Sequence, residues 1–509
     1  MELSTSNKSI AKNVTFLYFR MFVIMLISLY SSRVVLQSLG VIDYGIYNVV
    51  WGVITMMNFV NAALSASTSR NLTYALGLKD NEILSKTFSA SLCLHLMVVI
   101  FVIVVGETIG LWFVSHKLVI PENRLNSALV IYQFTIITTC VQFTQVPYTS
   151  SLISHEDMSI YAYVGLAEAF VKLIIVWIIS IIDTDKLVLF GALSMLSTVC
   201  FLLFYRRYTQ KKYSECRFKL VVDKKMYKEL VGYSGWNLLG GISTISQGQV
   251  ITIFINLFFG PILNTARAIA LQVQSAVNQM LTNFLLAVKP QIIKNSAQKD
   301  YDKMYDLSFR AGKYSFFLMM FICLPIIFEA EYVLQLWLGT VPPYSRIFTI
   351  LTLSITLIQV FQEVVFMPFH AIGKMKAGNV VYSLLMLTSV IVMYIMFKNG
   401  AEPEWALYVS FAFICLNHIA YVILIHKYRR FSYGLLVKTM YLPSLVVFAF
   451  SMIAPVVITQ IMNLGFCRFL INIVVTEIVS ILVIYFVGLK KSERLFVKTW
   501  ISNKIFKKS

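Results

Sequence analysis

The sequence predicts an all-α integral membrane fold, and three observations carry that prediction: the composition, the length of the apolar runs and the placement of the cations. Of 509 residues, 58% are hydrophobic and 13% are charged, whereas a soluble domain has roughly 45–50% apolar and about 25% charged residues. So little charge cannot supply a water-facing surface for a chain of this length. The apolar runs repeatedly reach the ~20 residues needed to cross a hydrocarbon core about 30 Å thick. Together they predict about fourteen transmembrane helices, arranged as two pseudo-symmetric six-helix lobes plus two C-terminal helices.

Taken in order, the runs place spans 1 to 6 at 14–36, 44–67, 85–105, 127–151, 158–182 and 187–205. Spans 7 to 12 follow at 229–259, 262–288, 312–330, 347–369, 378–397 and 405–426, and spans 13 and 14 at 439–461 and 467–488. This gives an N-terminal lobe over 1–205, a basic linker over 206–228, a second lobe over 229–426, and two extra spans with a basic tail over 427–509. The intervening segments are short, so no large soluble domain is accommodated. The first apolar run is too long for the h-region of a cleavable signal.

The net charge of +19 would point to nucleic acid in a soluble protein. In a membrane protein it has another origin, because Lys and Arg gather in loops that stay in the cytoplasm. With both termini inside, outer segments and helix ends hold seven cations: Arg33, Lys117, Arg124, Lys186, Arg346, Lys398 and Arg468. Arg20, Lys172 and Arg267 lie within spans, which leaves 33 of the 43 Lys and Arg residues on the inner side. Nine of those fall in the linker, from Arg206 to Lys228. A miscount of one span before the linker would scramble this asymmetry. Nucleic acid is therefore not an expected partner.

The two lobes echo each other. Leu39-Gly40 closes span 1 as Phe259-Gly260 closes span 7, an offset of 220. Val146-Pro147-Tyr148 ends span 4 as Met367-Pro368-Phe369 ends span 10, at 221, and Tyr161 and Tyr382 keep that spacing. Leu111-Trp112 and Leu336-Trp337 follow spans 3 and 9, at 225. Six spans connecting to six give both lobes one orientation, a parallel repeat about an axis along the membrane normal. Two such lobes across a cavity are the plan of an alternating-access transporter.

Charges inside the spans are the first candidates for function, since each costs about 2.5–3.5 kcal/mol at a helix centre. Arg20 lies about two turns from the inner end of span 1, and Arg267 less than two turns from the outer end of span 8, at roughly 3.6 residues per turn. A guanidinium grips phosphate oxygens in a two-pronged fashion, so both are candidates to hold an anionic head group. Snorkelling to the nearer interface is the alternative. Span 8 carries Arg267, Gln274 and Asn278 on one stripe, span 7 adds Asn237, Thr244 and Gln247, and span 2 adds Asn48, Thr55 and Asn58. Lipid cannot satisfy these amides and hydroxyls, so their faces turn inward. Asn58, Gln247, Gln274 and Asn278 are the candidates to line a wet cavity suited to sugars, with interhelical bonding as the alternative. Glu168 and Lys172, four apart on span 5, are expected to pair. With Glu363 of span 10 they are the candidates for ion coupling, and Glu477 of span 14 reads as a packing or partner residue.

Neither a metal-ligand spacing nor a disulfide framework is present among the seven cysteines and six histidines, and no Walker loop occurs, so no metal and no cofactor is expected. Residues 32–53, "SRVVLQSLGVIDYGIYNVVWGV", resemble the start of bacterial polysaccharide transporters. In that family an Arg-x-x-x-x-x-Leu-Gly motif closes helix one and Asp-Tyr-Gly-x-Tyr opens helix two. Here these are Arg33, Leu39-Gly40 and Asp43-Tyr44-Gly45-Ile46-Tyr47. Length, span count, basic central linker and the "LWLG" segment after span 9 fit as well.

The resemblance implies a multidrug/oligosaccharidyl-lipid/polysaccharide exporter fold in the bacterial inner membrane. It implies flipping of polyprenyl-diphosphate-linked oligosaccharide for surface polysaccharides such as O-antigen or capsule. Membrane lipid is then a partner, along with a glycan polymerase and a chain-length regulator. Related lipid II flippases carry arginines in helices one and eight, the spans of Arg20 and Arg267. A cation-coupled exporter of drugs or organic cations on the same fold is the alternative, and a membrane glycan polymerase or acyltransferase is the alternative from another class.

Overall fold

The computed structural model describes the backbone of residues 2–219, 227 and 248–499, apart from 79, 156, 373, 496 and 497. Side chains are described from residue 23 onward, with scattered exceptions that include Asn58. Among the described residues the chain is helical throughout, without a strand. Eleven of the helices are long and apolar enough to cross a membrane. The distribution of side chains inverts that of a soluble protein. Leu384, Leu387 and Ile391 form an exposed stripe, while Ser150, Ser151 and Ser308 are buried and hydrogen-bonded. Apolar solvent outside and hydroxyls satisfied within the bundle are what a bilayer selects.

The chain divides into two compact units, residues 1–268 and 269–509. The lobe boundary expected at 229 falls outside the described residues, as does most of the linker. The first unit contains α1 (Glu2–Thr55), α2 (Asn58–Gly77), α3 (Asn81–Val105) with its extension α4 (Leu111–His116), and α5 (Leu125–Ser154). It continues with α6 (Met158–Ile181), α7 (Lys186–Lys212), α8 (Gly248–Phe259) and the start of α9 (Pro261–Ala297). α5 is its central element and packs on α1, α2, α3 and α7.

Spans 1 and 2 do not have the loop between them that the sequence implied. They are joined within α1 at a kink at Gly40, with φ 77° and ψ 169°. The matching anchor behaves alike: Gly260, at φ 82°, separates α8 from α9. Both turns place the backbone where a Cβ would be strained, which is why glycine recurs at that offset. Span 3 also runs further than expected. A π-helical turn at Gly106–Gly110 carries α3 into α4, where the buried Tyr132 hydroxyl donates to the Gly106 carbonyl at 2.6 Å. A side chain at Gly110 would collide with that hydroxyl, at 2.1 Å.

The second unit holds the rest of α9, α10 (Tyr301–Phe328), α11 (Ala330–Leu338), α12 (Ser345–Ala371), α13 (Met375–Lys398) and α14 (Trp405–Tyr428). The two extra spans are α15 (Tyr433–Leu436), which runs through a π turn into α16 (Leu442–Ile461), and α17 (Phe466–Val483). The core is a large apolar cluster that includes Phe309, Phe316, Met319, Met320, Phe361 and Val364, with Met440 and Val447 of the extra spans inside it. α16 and α17 pack on each other and on α10, so in this unit the extra spans share the core of the lobe.

Candidate functional site

A polar cavity of the first unit lies among α2, α5, α6 and α7. It measures about 240 Å³ and is lined by Asn61, Gln142, Gln145, Val146, Thr149, Tyr161, Gly165, Glu168 and Tyr205. Its construction follows from helical spacing. Gln142, Gln145 and Thr149 lie at i, i+3 and i+7 of α5, and Tyr161, Gly165 and Glu168 at i, i+4 and i+7 of α6, so each set falls on one face. Gly165 leaves the space that its neighbours surround. The Asn61 side-chain oxygen is buried there without a partner among the described residues. A cavity walled by amides, hydroxyls and one carboxylate accepts a ligand with several hydrogen-bond donors, or a cation.

This arrangement redistributes the residues that the sequence singled out. Glu168 faces the cavity, whereas Lys172 is exposed on α6. The expected Glu168–Lys172 pair is not among the ion pairs of the described residues. Four residues along a helix turn the side chain by about 40°, enough to put one on the cavity wall and the other beyond it. Arg267 is buried, at 5% exposure, in the second turn of α9, so the guanidinium is taken out of water. Gln274 donates to Thr356 Oγ1 at 2.9 Å, an interhelical bond between α9 and α12. Asn278 is half-buried further along α9. Glu363 is exposed on α12, with Lys289 the cation in electrostatic reach. The Arg20 and Asn58 side chains and the whole of Gln247 lie outside the described residues.

Four charged clusters brace the helices, and the sequence reading did not anticipate them. In the first unit, Arg124 reaches Asp43 through Nε (2.8 Å) and Nη2 (2.7 Å), and Asp185 through Nη1 (3.0 Å) and Nη2 (2.9 Å). Burial pushes the Asp185 carboxyl up, but hydrogen bonds from Arg124, Ser127 and the Val188 N–H outweigh it and hold it at about 2. Asp43 opens the Asp-Tyr-Gly-x-Tyr run, whose other members are also used in packing. A Cβ on Gly45 would lie 2.0 Å from the Pro261 carbonyl oxygen. Tyr47 stacks on Trp51 at 6.0 Å and meets Phe190 edge-on at 5.0 Å. The motif therefore fastens α1 to α5, α7 and α9.

At the end of the first unit where the linker begins, Asp157 accepts from Lys212 (2.6 Å), Tyr213 (3.1 Å) and Tyr208 (3.2 Å). Burial raises its pKa, and these donors more than offset that and lower it. His155 stacks on Tyr213 at 4.0 Å and bonds Glu215 at 2.6 Å. Cys216 is buried beneath them, and that burial pushes its thiol up to about 12. In the second unit the extra spans and the segment after them are tied to the middle and to the end of α10. Lys313, fully buried, reaches Glu493 at 2.7 Å. Glu329, also fully buried, accepts from Arg468 and Asn472.

No family model matches the chain, and no curated protein matches it in sequence. Solved structures do match over nearly its whole length. The inward closed conformation of the lipid II flippase MurJ superposes with a TM-score of 0.69 at 13% identity, covering 92% of this chain and 98% of that one. An inward-facing multidrug resistance MATE transporter of the MOP superfamily gives 0.63 at 15% identity, covering 84% and 99%. A MOP superfamily transporter from Pyrococcus furiosus, described as having a binding pocket of reversed polarity, gives 0.53 at 15%, covering 82% and 96%. At these identities the similarity speaks for the fold: this chain is a multi-pass α-helical membrane protein with the architecture of MurJ and the MATE transporters.

Proposed function

We propose that the protein is a flippase that moves polyprenyl-diphosphate-linked oligosaccharide across the bacterial inner membrane by alternating access, in surface polysaccharide synthesis. The observation that carries this reading is Arg267, a guanidinium buried in α9, the helix that the sequence reads as span 8. Such a group is costly inside a bilayer unless it has a task, and cradling diphosphate oxygens is the task to which its planar fork is suited. Support comes from the fold shared with a structure described as a lipid II flippase, and from the amide-rich cavity of the first unit, whose lining matches the hydroxyls of a glycan. In this reading Arg20 assists Arg267 at the diphosphate. The polyprenyl tail stays in lipid, both termini are cytoplasmic, and a polymerase receives the product.

The test is mass spectrometry of lipids that co-purify with the protein, with the Arg20→Ala, Arg267→Ala double variant as control. A polyprenyl-diphosphate oligosaccharide enriched on the wild type and lost from the variant is expected, and equal recovery from both refutes the diphosphate site. Each single variant is expected to cripple glycan export while still inserting in the membrane, and normal export by both removes the idea. A second reading, export of organic cations, draws on one observation: the cavity of the first unit combines Glu168 with Tyr161 and Tyr205, a carboxylate beside aromatic faces that attract cations. Transport of an organic cation that is abolished by Glu168→Gln and indifferent to Arg267→Ala would favour it.

A further inference from the structure

The second unit carries a cavity that neither the diphosphate site nor the polar cavity of the first unit uses. It lies where α12 and α14 begin, measures about 380 Å³, and is lined by Tyr344, Arg346, Ile347, Ile350 and Glu404. This is within the roughly 300–1,000 Å³ of small-ligand sites. Three features set it apart from an ordinary helix end. Tyr344 has φ 66°, a left-handed conformation that a bulky residue adopts only when its surroundings impose it, and such positions cluster at ligand clamps. Its ring leans on the buried Phe348 at 6.0 Å while remaining 39% exposed. Glu404 occupies the N-cap position of α14 without capping it, and its Oε2 is buried with no partner among the described residues. Arg346 and Glu404 line the same cavity but are not an ion pair. The carboxylate Arg346 reaches is Glu331, at 3.3 Å.

These walls define what fits between them. An ionised carboxylate only accepts hydrogen bonds and a guanidinium only donates them. The ligand must therefore donate at one end, accept at the other, and lay an apolar face on Tyr344, Ile347 and Ile350. Arg346 is already balanced by Glu331, so the unmatched charge of the site is the negative charge of Glu404, which turns away phosphates and uronic acids. We propose that this cavity binds a neutral or amino sugar unit of a short saccharide, with the Glu404 carboxylate accepting from ring hydroxyls, Arg346 donating to others, and the Tyr344 ring stacking on the C–H face. The proposal rests on the flippase reading for its biological sense, since it assigns the glycan a contact separate from the diphosphate.

The experiment is saturation-transfer NMR on the full-length protein in lipid nanodiscs, with cellobiose and chitobiose as probes and glucuronic acid and inorganic diphosphate as counter-probes. Transfer to a disaccharide's ring protons is expected, with affinity falling about tenfold in Glu404→Gln, the loss of one hydrogen bond to a charged group. Tyr344→Gly is expected to lower it as well. Glycine keeps the positive φ without strain, and a thermal melt of the variant separates lost binding from lost folding. The proposal is overturned if neither disaccharide exceeds the empty nanodisc, if both variants bind like wild type, or if glucuronic acid binds equally well. It is also overturned if a phospholipid co-purifies with wild type and is lost from both variants without a saccharide signal. The Arg20→Ala, Arg267→Ala variant is expected to keep the disaccharide signal. If wild type captures no diphosphate lipid while disaccharide binding persists, the flippase reading fails and the sugar site stands.

Discussion

Arg468→Gln isolates the contribution of the buried acid that ties α17 to α10. Glu329 is fully buried and Arg468 nearly so, with its side chain 12% exposed. The guanidinium donates from Nε to Glu329 Oε1 at 3.0 Å and from Nη2 to Oε2 at 2.9 Å. Asn472 adds a bond at 2.7 Å and is itself bonded by Thr476. Taking away the cation leaves a carboxylate that neither lipid nor the remaining amide can compensate. The expected loss is about 3–5 kcal/mol. Glu329→Gln should be milder, on the order of 1–2 kcal/mol, because Arg468 keeps a carbonyl at Met462 (3.4 Å). The double variant should recover part of the Arg468→Gln loss, since both charges are gone. Amide hydrogen exchange over 466–483 in nanodiscs reads this as local opening. A 3 kcal/mol loss corresponds to protection falling about a hundredfold. Unchanged protection in Arg468→Gln, or a double variant as exchange-prone as that single one, would show that α17 is held by apolar packing and not by this pair.

Asp185 makes the Arg124 brace of the first unit acid-sensitive. Its folded pKa, about 2, lies below the ordinary 3.8, so its contribution is complete above pH ~4 and is lost as the pH falls towards ~2. With a third of the side chain exposed, that contribution is on the order of 1 kcal/mol. Exchange at the start of α7 should quicken across that window and lose its pH dependence in Asp185→Asn. Two glycine substitutions should rank by packing: Gly45→Ala drives a Cβ into the Pro261 carbonyl, whereas Gly40→Ala meets nothing within 4 Å. The first should cost about 1–3 kcal/mol or more and the second about 1 kcal/mol of backbone strain in thermal melts, and the reverse order would refute the packing account. Asp157→Asn removes the charge that Lys212 shares with two tyrosines, and limited proteolysis just after Lys212 should speed up; an unchanged rate would mean that the start of the linker is held by the His155–Tyr213 stack instead.

The parts of this molecule that were legible in its sequence are those set by solvent and by backbone. Lipid demands long apolar helices, and among the described residues eleven helices are long and apolar enough to cross a membrane. Span 2, however, is broken between α1 and α2, and most of span 7 lies outside the described residues. The paired Gly40 and Gly260 were readable as helix closures because a left-handed turn admits few other residues. Illegible were contacts that join residues distant in the chain. Nothing in a sequence ties Glu329 to Arg468 across 139 positions or Lys313 to Glu493 across 180, and Lys313 reads as an ordinary interfacial cation until its burial is seen. The cavity of the first unit lies between these cases. Its α5 stripe, Gln142, Gln145 and Thr149, falls at helical spacing but was not among the sequence candidates, and that it faces Glu168 depends on how α5 and α6 pack. The family-like motif at Asp43 to Tyr47 shows why a recognisable signature says more about fold than about cargo. Its carboxylate, glycine and aromatic rings are taken up by Arg124, Pro261, Trp51 and Phe190. A motif occupied in holding helices together persists whatever the lobes carry, so the cargo has to be read from other groups: the buried guanidinium of Arg267, and the Asn61 and Glu404 oxygens that have no partner among the described residues.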